Sequence, residues 1–241
     1  MADRFYCPDL TGTIAQLSDT EAHHALHVLR IKAGASVQLF DGRGTLASGI
    51  VTTVSRRDLS IELTDREVHS RNQNTSVTVA SAVPKGDRLK WMLEKLTELG
   101  TDRWIPLHAN RSVRGKENIS PEKLLPTVVA ASKQCNRLWL MDIQPVQSLP
   151  EILNSKADSE SHLWLAHPPH HRTSAIPRIG AGSPDGHHLA LIGPEGGFDE
   201  DEVLQADAAG AMRLAWPETI LRIETAAVMA AVILQAQRSP S

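Results

Sequence analysis

The chain has 241 residues, 41% of them hydrophobic, and a formal net charge of −3 at pH 7. That suits one large domain or two modest ones with a proper core, and it excludes a generally basic nucleic-acid coat, so any RNA binding must come from local clusters. Two cysteines, Cys7 and Cys135, make no disulfide framework or zinc site, no apolar run approaches the ~20 residues of a membrane span, and Met1–Leu10 has no apolar signal core. The expectation is reduced thiols and a cytoplasmic location.

Residues 1–70 read as a small, barrel-like β module. Ser18-Asp19-Thr20-Glu21 has the form of a capping box and predicts a short helix through Leu29, with Ala22, Leu26 and Leu29 on one face. Strands are predicted over Val37–Phe40, Leu46–Val54 and Leu59–Leu63, the first two joined across Asp41-Gly42-Arg43-Gly44. His23, His24 and His27 share a helical face, and His167, His170 and His171 crowd a proline-rich loop. Neither group has the further ligands of a metal site, so no metal is expected.

The polar stretch Val68–Thr75 marks a boundary, and from residue 76 to 238 the pattern alternates between strand and helix. Strands are expected at Val77–Val83, Trp104–Leu107, Leu138–Ile143, Leu163–Ala166, Leu189–Ile192 and Ala211–Leu214. Helices are expected at Arg88–Leu99, Pro121–Gln134, Pro150–Asn154 and, Ala-rich and apolar almost all round, Thr225–Gln237. This alternation predicts an α/β unit with a mainly parallel sheet and helices on both faces.

The most informative stretch is Leu189–Ala227. A short apolar strand stops at Gly193-Pro194-Glu195-Gly196-Gly197, and Asp199 with Glu202 three residues later forms a second capping-box pattern opening a helix that Gly210 ends. Backbone turning through glycines between strand and helix presents N–H groups to a small molecule, although such junctions are also common without a ligand. Further on, Arg222, Glu224 and Thr225 interrupt the apolar start of the last helix. Either they do chemistry, or Arg222 and Glu224 form an ion pair and Glu195 only ties the turn together.

On LIGPEGG, LRIETAA, the ELG near residue 100, QCNR from Gln134 and RFY from Arg4, the chain resembles the RsmE-type 16S ribosomal RNA uridine-N3 methyltransferases, members of the SPOUT superfamily. The resemblance covers nearly the whole length. It implies a knotted SPOUT methyltransferase domain over 76–238 preceded by a PUA-like RNA-binding domain over 1–70, a homodimer, and action on 16S ribosomal RNA of the small subunit. S-adenosyl-L-methionine is the implied cofactor, held by three loops: Leu165, Ala166 and His167; Ile192 to Gly197 (Gly193, Pro194, Glu195, Gly196); and Leu214, Trp216, Ile220, Leu221, Arg222, Thr225 and Ala226. This cofactor carries no phosphate, so neither a dinucleotide fingerprint nor a P-loop is expected.

Uridine N3 carries a proton and is a poor nucleophile until it leaves. Arg222 could stabilise the developing oxyanion, and Glu195 or Glu224 could take the proton or orient a water that does. Candidate RNA contacts are Arg4, His24, Arg30, Lys85, Arg88, Arg111 and Arg114, with Lys90 and Lys116 as further basic neighbours; such clusters are also often plain surface. Lys133 stands where the family commonly has glutamate, Asn136 and Pro217 where it has glycine, Thr219 where arginine is frequent, and Ile223 where threonine is usual. A methyltransferase for another RNA or base atom, and a non-catalytic ribosome-binding protein, are the alternatives.

Overall fold

A computed structural model describes residues 3–112, 119–155, 161–166, 186–214 and 219–237. They fall into two compact units, one from Met1–Arg71 with Ser132–Leu140, the other from Asn72–Ala131 with Met141–Ser241.

The first unit is a five-stranded sheet in the order β1 (Arg4–Tyr6), β3 (Ser36–Phe40), β4 (Thr45–Val54), β5 (Leu59–Val68), β2 (Ile14–Leu17). All neighbours are antiparallel except β1 and β3. Alternation buries Val37, Leu39, Val51, Leu59 and Ile61 in one core with Phe5 and Leu17. β1 and β2, three and four residues long, are too short to show a period, which is why the pattern did not reveal them. Both cysteines are free, and burial pushes the Cys7 thiol up.

The first capping box is not formed. Helix α1 (Asp19–His23) has Ser18 at its cap position, where its side chain makes no capping hydrogen bond, and the helix passes into a π-helical turn, His24–Val28. Leu29 N–H reaches back to His24 O at 3.1 Å, five residues away, so the phase slips: Ala25 is buried and Leu29 turns outward. Glu21 serves other partners, accepting from Tyr6 N–H at 3.0 Å, while both of its oxygens lie 3.0 Å from Lys133 Nζ.

The expected strand Leu138–Ile143 is also corrected. Leu138 O accepts from Gly44 N–H at 3.2 Å and Leu140 N–H donates to Gly42 O at 3.0 Å, so this apolar run is a strap on the hairpin between β3 and β4. A Cβ on Gly44 would sit 2.8 Å from the Trp139 ring, and its φ of +103° suits glycine alone. Asp142–Ile143 alone joins the other sheet, as β8.

Before the strap, α3 (Pro121–Gln134) ends with Arg137 N–H on Ser132 O at 2.9 Å and Asn136 at φ +60°. That is a left-handed helix stop, with asparagine as the next-best residue after the family's glycine. Asn136→Gly is expected to raise stability by about 0.5 kcal/mol, and Asn136→Ala to lower it by about 1 kcal/mol, in urea denaturation.

The second unit is a seven-stranded parallel sheet in the order β12 (Met212–Leu214), β10 (Ser161–Ala166), β11 (Gly186–Ile192), β6 (Thr75–Ser81), β7 (Arg103–His108), β8, with β9 (Gln147–Ser148) also on β7. One face, through Ala80, Leu107, Leu165 and Leu191, buries α4 (Leu149–Asn154) and α5 (Glu200–Ala208). On the other, α6 (Ile223–Gln235) packs on β6, β11 and α2 (Asp87–Glu98), as expected of a helix apolar nearly all round. Ala226, Ala227, Ala230 and Ala231 are all buried, and their small side chains let α6 approach closely. Among the described residues no helix is long and apolar enough to cross a membrane. The loops that a knotted carboxy-terminal segment would thread include 167–185 and 215–218, outside the described residues.

Candidate active site

Three parallel strands stop on one line. Ala166, the end of β10, is in register with Ile192 at the end of β11 and with Leu214 at the end of β12. The three loops singled out in the sequence therefore leave the sheet side by side at its carboxyl edge. Leu165, Ile192 and Leu214 have buried side chains, so what they offer a ligand is main chain. His167, His170, His171, Trp216 and Pro217 lie outside the described residues, as do Arg114 and Lys116.

The middle loop is the best defined. A Cβ at Gly193 would meet the Phe198 ring at 3.1 Å and the Phe198 backbone nitrogen at 3.3 Å, so a larger residue there would crowd Phe198. Gly197 N–H closes on Pro194 O at 2.8 Å. The second capping box forms as the spacing predicts: Asp199 Oδ1 accepts from Glu202 N–H at 2.8 Å and Glu202 Oε2 from Asp199 N–H at 3.0 Å. Asn110 bonds the remaining oxygens, 2.7 Å to Asp199 and 2.8 Å to Glu202, and Arg111 Nη1 donates to Gly196 O at 2.9 Å. The Asn110 amide, then the Glu202 N–H, hold the Asp199 carboxyl below the usual carboxylate range.

In the third loop, Arg222 occupies the cap position of α6, exposed and with no side-chain cap bond. Glu224, in the first turn, is buried, and its partner is Arg88 at 3.6 Å, not Arg222. Its second oxygen has no hydrogen-bond partner among the described residues. Arg88, expected on RNA, thus ties α2 to the start of α6. Ile220 is 87% exposed and Leu221 half-buried, while Thr225 is exposed and Ala226 buried.

Beside the glycine loop a shallow, open cleft is lined by Val83, Lys85, His108, Ser112, Glu195 and Ile223. It lies at the carboxyl ends of β6, β7 and β11, where the chain leaves β6 toward β7 on one side and β11 returns on the other, the switch point at which open parallel sheets bind ligands. His108 and Ser112 escaped the sequence reading. The only signal was that His108 directly follows a predicted strand, Trp104–Leu107.

In the first unit, Arg4 Nη2 donates to Gln38 at 3.2 Å, and its Nε and Nη1 are buried without a partner among the described residues. His24 packs edge-on against Phe5 and lies 3.5 Å from Lys133 Nζ. These two are built into the sheet's surroundings. Arg30 is exposed at φ +55°, a left-handed backbone that arginine rarely adopts.

A family model described as RNA methyltransferase domain matches residues 71–235, and one described as RNA methyltransferase PUA domain matches 17–64. A ribosomal RNA small subunit methyltransferase E of Mycobacterium tuberculosis is 31% identical over 231 residues, covering 92% of this chain and 86% of the relative. The crystal structure of a probable rRNA-methyltransferase from Porphyromonas gingivalis superposes with TM-score 0.82 at 30% identity, covering 95% of each chain. A ribosomal RNA small subunit methyltransferase E from Neisseria gonorrhoeae, bound to S-adenosyl methionine, superposes with TM-score 0.83 at 26% identity, covering 98% of this chain and 97% of that one. The parallel sheet with helices on both faces, the smaller β unit before it and these matches agree: the chain belongs to the ribosomal RNA small subunit methyltransferase E family, RNA methyltransferases with a PUA-like domain ahead of a SPOUT domain.

Proposed function

We propose that this protein methylates N3 of a uridine in 16S ribosomal RNA of the small subunit, using S-adenosyl-L-methionine. The observation that supports the reading is the register of Ala166, Ile192 and Leu214, which ends three neighbouring parallel strands level with one another. The residues fit the cofactor. It has no phosphate, and the loops offer main chain at Gly193–Gly197 in place of a phosphate-gripping lysine. Ile220, apolar yet 87% exposed, is available to cover an adenine face together with Leu221. When bound, the cofactor supplies a methyl group activated by its sulfonium.

The chain's own residues align and activate the uracil. Arg222 places a fixed positive charge where the ring oxygen becomes an oxyanion as N3 loses its proton. Glu195, exposed on the cleft and without a partner among the described residues, receives that proton directly or through water. Glu224, held by Arg88, positions the start of α6. Because N3 lies on the pairing edge, the target must be unpaired or flipped out. Residues 1–70, with the exposed Arg30, grip the surrounding RNA, while Lys85, Arg111 and Arg114 serve phosphates near the catalytic domain, 76–238. The protein works in the cytoplasm, without a metal, as a homodimer. Met229 and Val232, apolar side chains exposed on the mostly buried α6, support a second copy there.

The test is incubation with methyl-labelled cofactor and unmodified small subunits, followed by nucleoside analysis. Label on uridine N3 is expected. Label on another base atom or only on another RNA would reassign the substrate, and cofactor binding without transfer would make the protein a ribosome-binding scaffold.

A further inference from the structure

Three polar side chains from three separate strand ends face the cleft at the switch point: Lys85 beyond β6, His108 at the end of β7 and Glu195 beyond β11. Among the described residues none of them has a side-chain hydrogen bond or ion pair, although Asn110, Arg111, Asp199 and Glu202 next to them are all bonded to one another or to main chain. The surrounding loops are thus stitched together while these three groups are left available. Ser112 Oγ accepts from Ala109 N–H at 2.9 Å and so forms part of the loop's support. The floor and wall are apolar, with Val83, Leu107 and Ile223. Apolar lining residues together with a cation, an imidazole and a carboxylate are the groups that a single extruded nucleotide needs: a surface for the ring, a charge for the phosphate, hydrogen-bonding groups for the base edge.

We infer that this cleft, rather than the three-loop site, receives the target nucleotide, and that His108 is a substrate-positioning residue bonding the uracil edge while Lys85 holds the adjoining phosphate. This rests on the methyltransferase reading above, and it accounts for why Glu195 and Ile223 line the cleft: both lie on loops of the cofactor site, so a base seated here abuts the methyl donor's loops. The shared wall lets one residue, Glu195, reach a pyrimidine N3 while the neighbouring glycines face the cofactor.

The experiment uses full-length protein with S-adenosylhomocysteine, and uridine 5′-monophosphate as the probe. The His108 ring proton signal, identified by its loss in His108→Ala, is expected to shift on titration with the probe, and Lys85→Ala is expected to weaken that titration several-fold. In methylation of unmodified small subunits, His108→Ala is expected to lower kcat/KM by about 10–100-fold, His108→Gln to recover part of the loss, and S-adenosylhomocysteine affinity to stay within about twofold in both. Lys85→Ala should also reduce the salt dependence of subunit binding, its log–log slope falling by about 0.7–0.9. A His108 signal unmoved by the probe, in an enzyme that methylates the subunits, overturns this inference and leaves the reaction standing. A shifted signal in a protein that transfers no methyl group supports the cleft and overturns the reaction. Equal losses of cofactor affinity and kcat/KM in His108→Ala would make His108 a structural residue and overturn the inference.

Discussion

Arg222→Ala is expected to lower kcat for methyl transfer by about 10²–10³-fold, the usual cost of removing one group that stabilises a developing oxyanion. The fold gives the experiment unusual clarity. Arg222 is exposed, makes no side-chain cap bond, and sits at the amino-terminal end of α6, where the helix dipole disfavours a cation by about 0.3–1 kcal/mol. Its removal should therefore leave the protein as stable as before or slightly more so. A residue that weakens the fold and is indispensable to turnover is one kept for chemistry. Arg222→Lys keeps the charge on a different geometry and is expected to recover only part of the rate. Single-turnover kinetics on small subunits, thermal denaturation and S-adenosylhomocysteine binding decide the matter together. A variant with wild-type turnover, or one whose loss is matched by lost stability, would remove Arg222 from the mechanism.

Glu195 and Glu224 illustrate how far the residues alone could go. Both were candidates to take the proton, and nothing in their local sequence separates them. Their surroundings do: Glu224 faces Arg88, 136 residues earlier in the chain, whereas Glu195 opens on the cleft. The strand, glycine turn and helix from Leu189 to Gly210 were legible because each signal is local: an apolar run, a glycine at 193 where a Cβ would crowd Phe198, a cap and its partner three residues apart. The same capping pattern at Ser18 misled. Around α5, Asn110 takes only the spare oxygens of Asp199 and Glu202 and leaves the box closed, while in α1 a lysine 112 residues away takes both oxygens of Glu21. Likewise Leu138–Leu140 has a strand's composition, and only the close approach permitted at Gly44 decides which sheet it serves. His108 is one of 11 histidines, and no spacing marks it; the topology of a parallel sheet brings it to the switch point.

The Lys133–Glu21 pair should give the largest stability effect. Both side chains are 16% exposed, the ammonium also lies 5.4 Å above the Phe5 ring, and Glu21 is the acceptor for Tyr6 N–H. Removing the cation by Lys133→Met leaves a largely buried carboxylate with a single N–H donor, and about 2–4 kcal/mol of destabilisation is expected. Lys133→Glu, which restores the residue common in the family, should cost more, because it sets a second carboxylate against the first. The charge swap Glu21→Lys with Lys133→Glu is expected to recover the Coulomb attraction but not the whole loss, since the Tyr6 N–H would then face an ammonium and lose its acceptor, at a cost of about 1–3 kcal/mol. Urea denaturation of the wild type, Glu21→Lys, Lys133→Glu and the double swap gives the coupling energy, and amide exchange at Tyr6 reports the local part. If the swap were as stable as the wild type with Tyr6 still protected, the backbone bond would be irrelevant to the pair. If Lys133→Met were neutral, the pair would be surface decoration despite its burial, and the family departure at 133 would be without structural consequence.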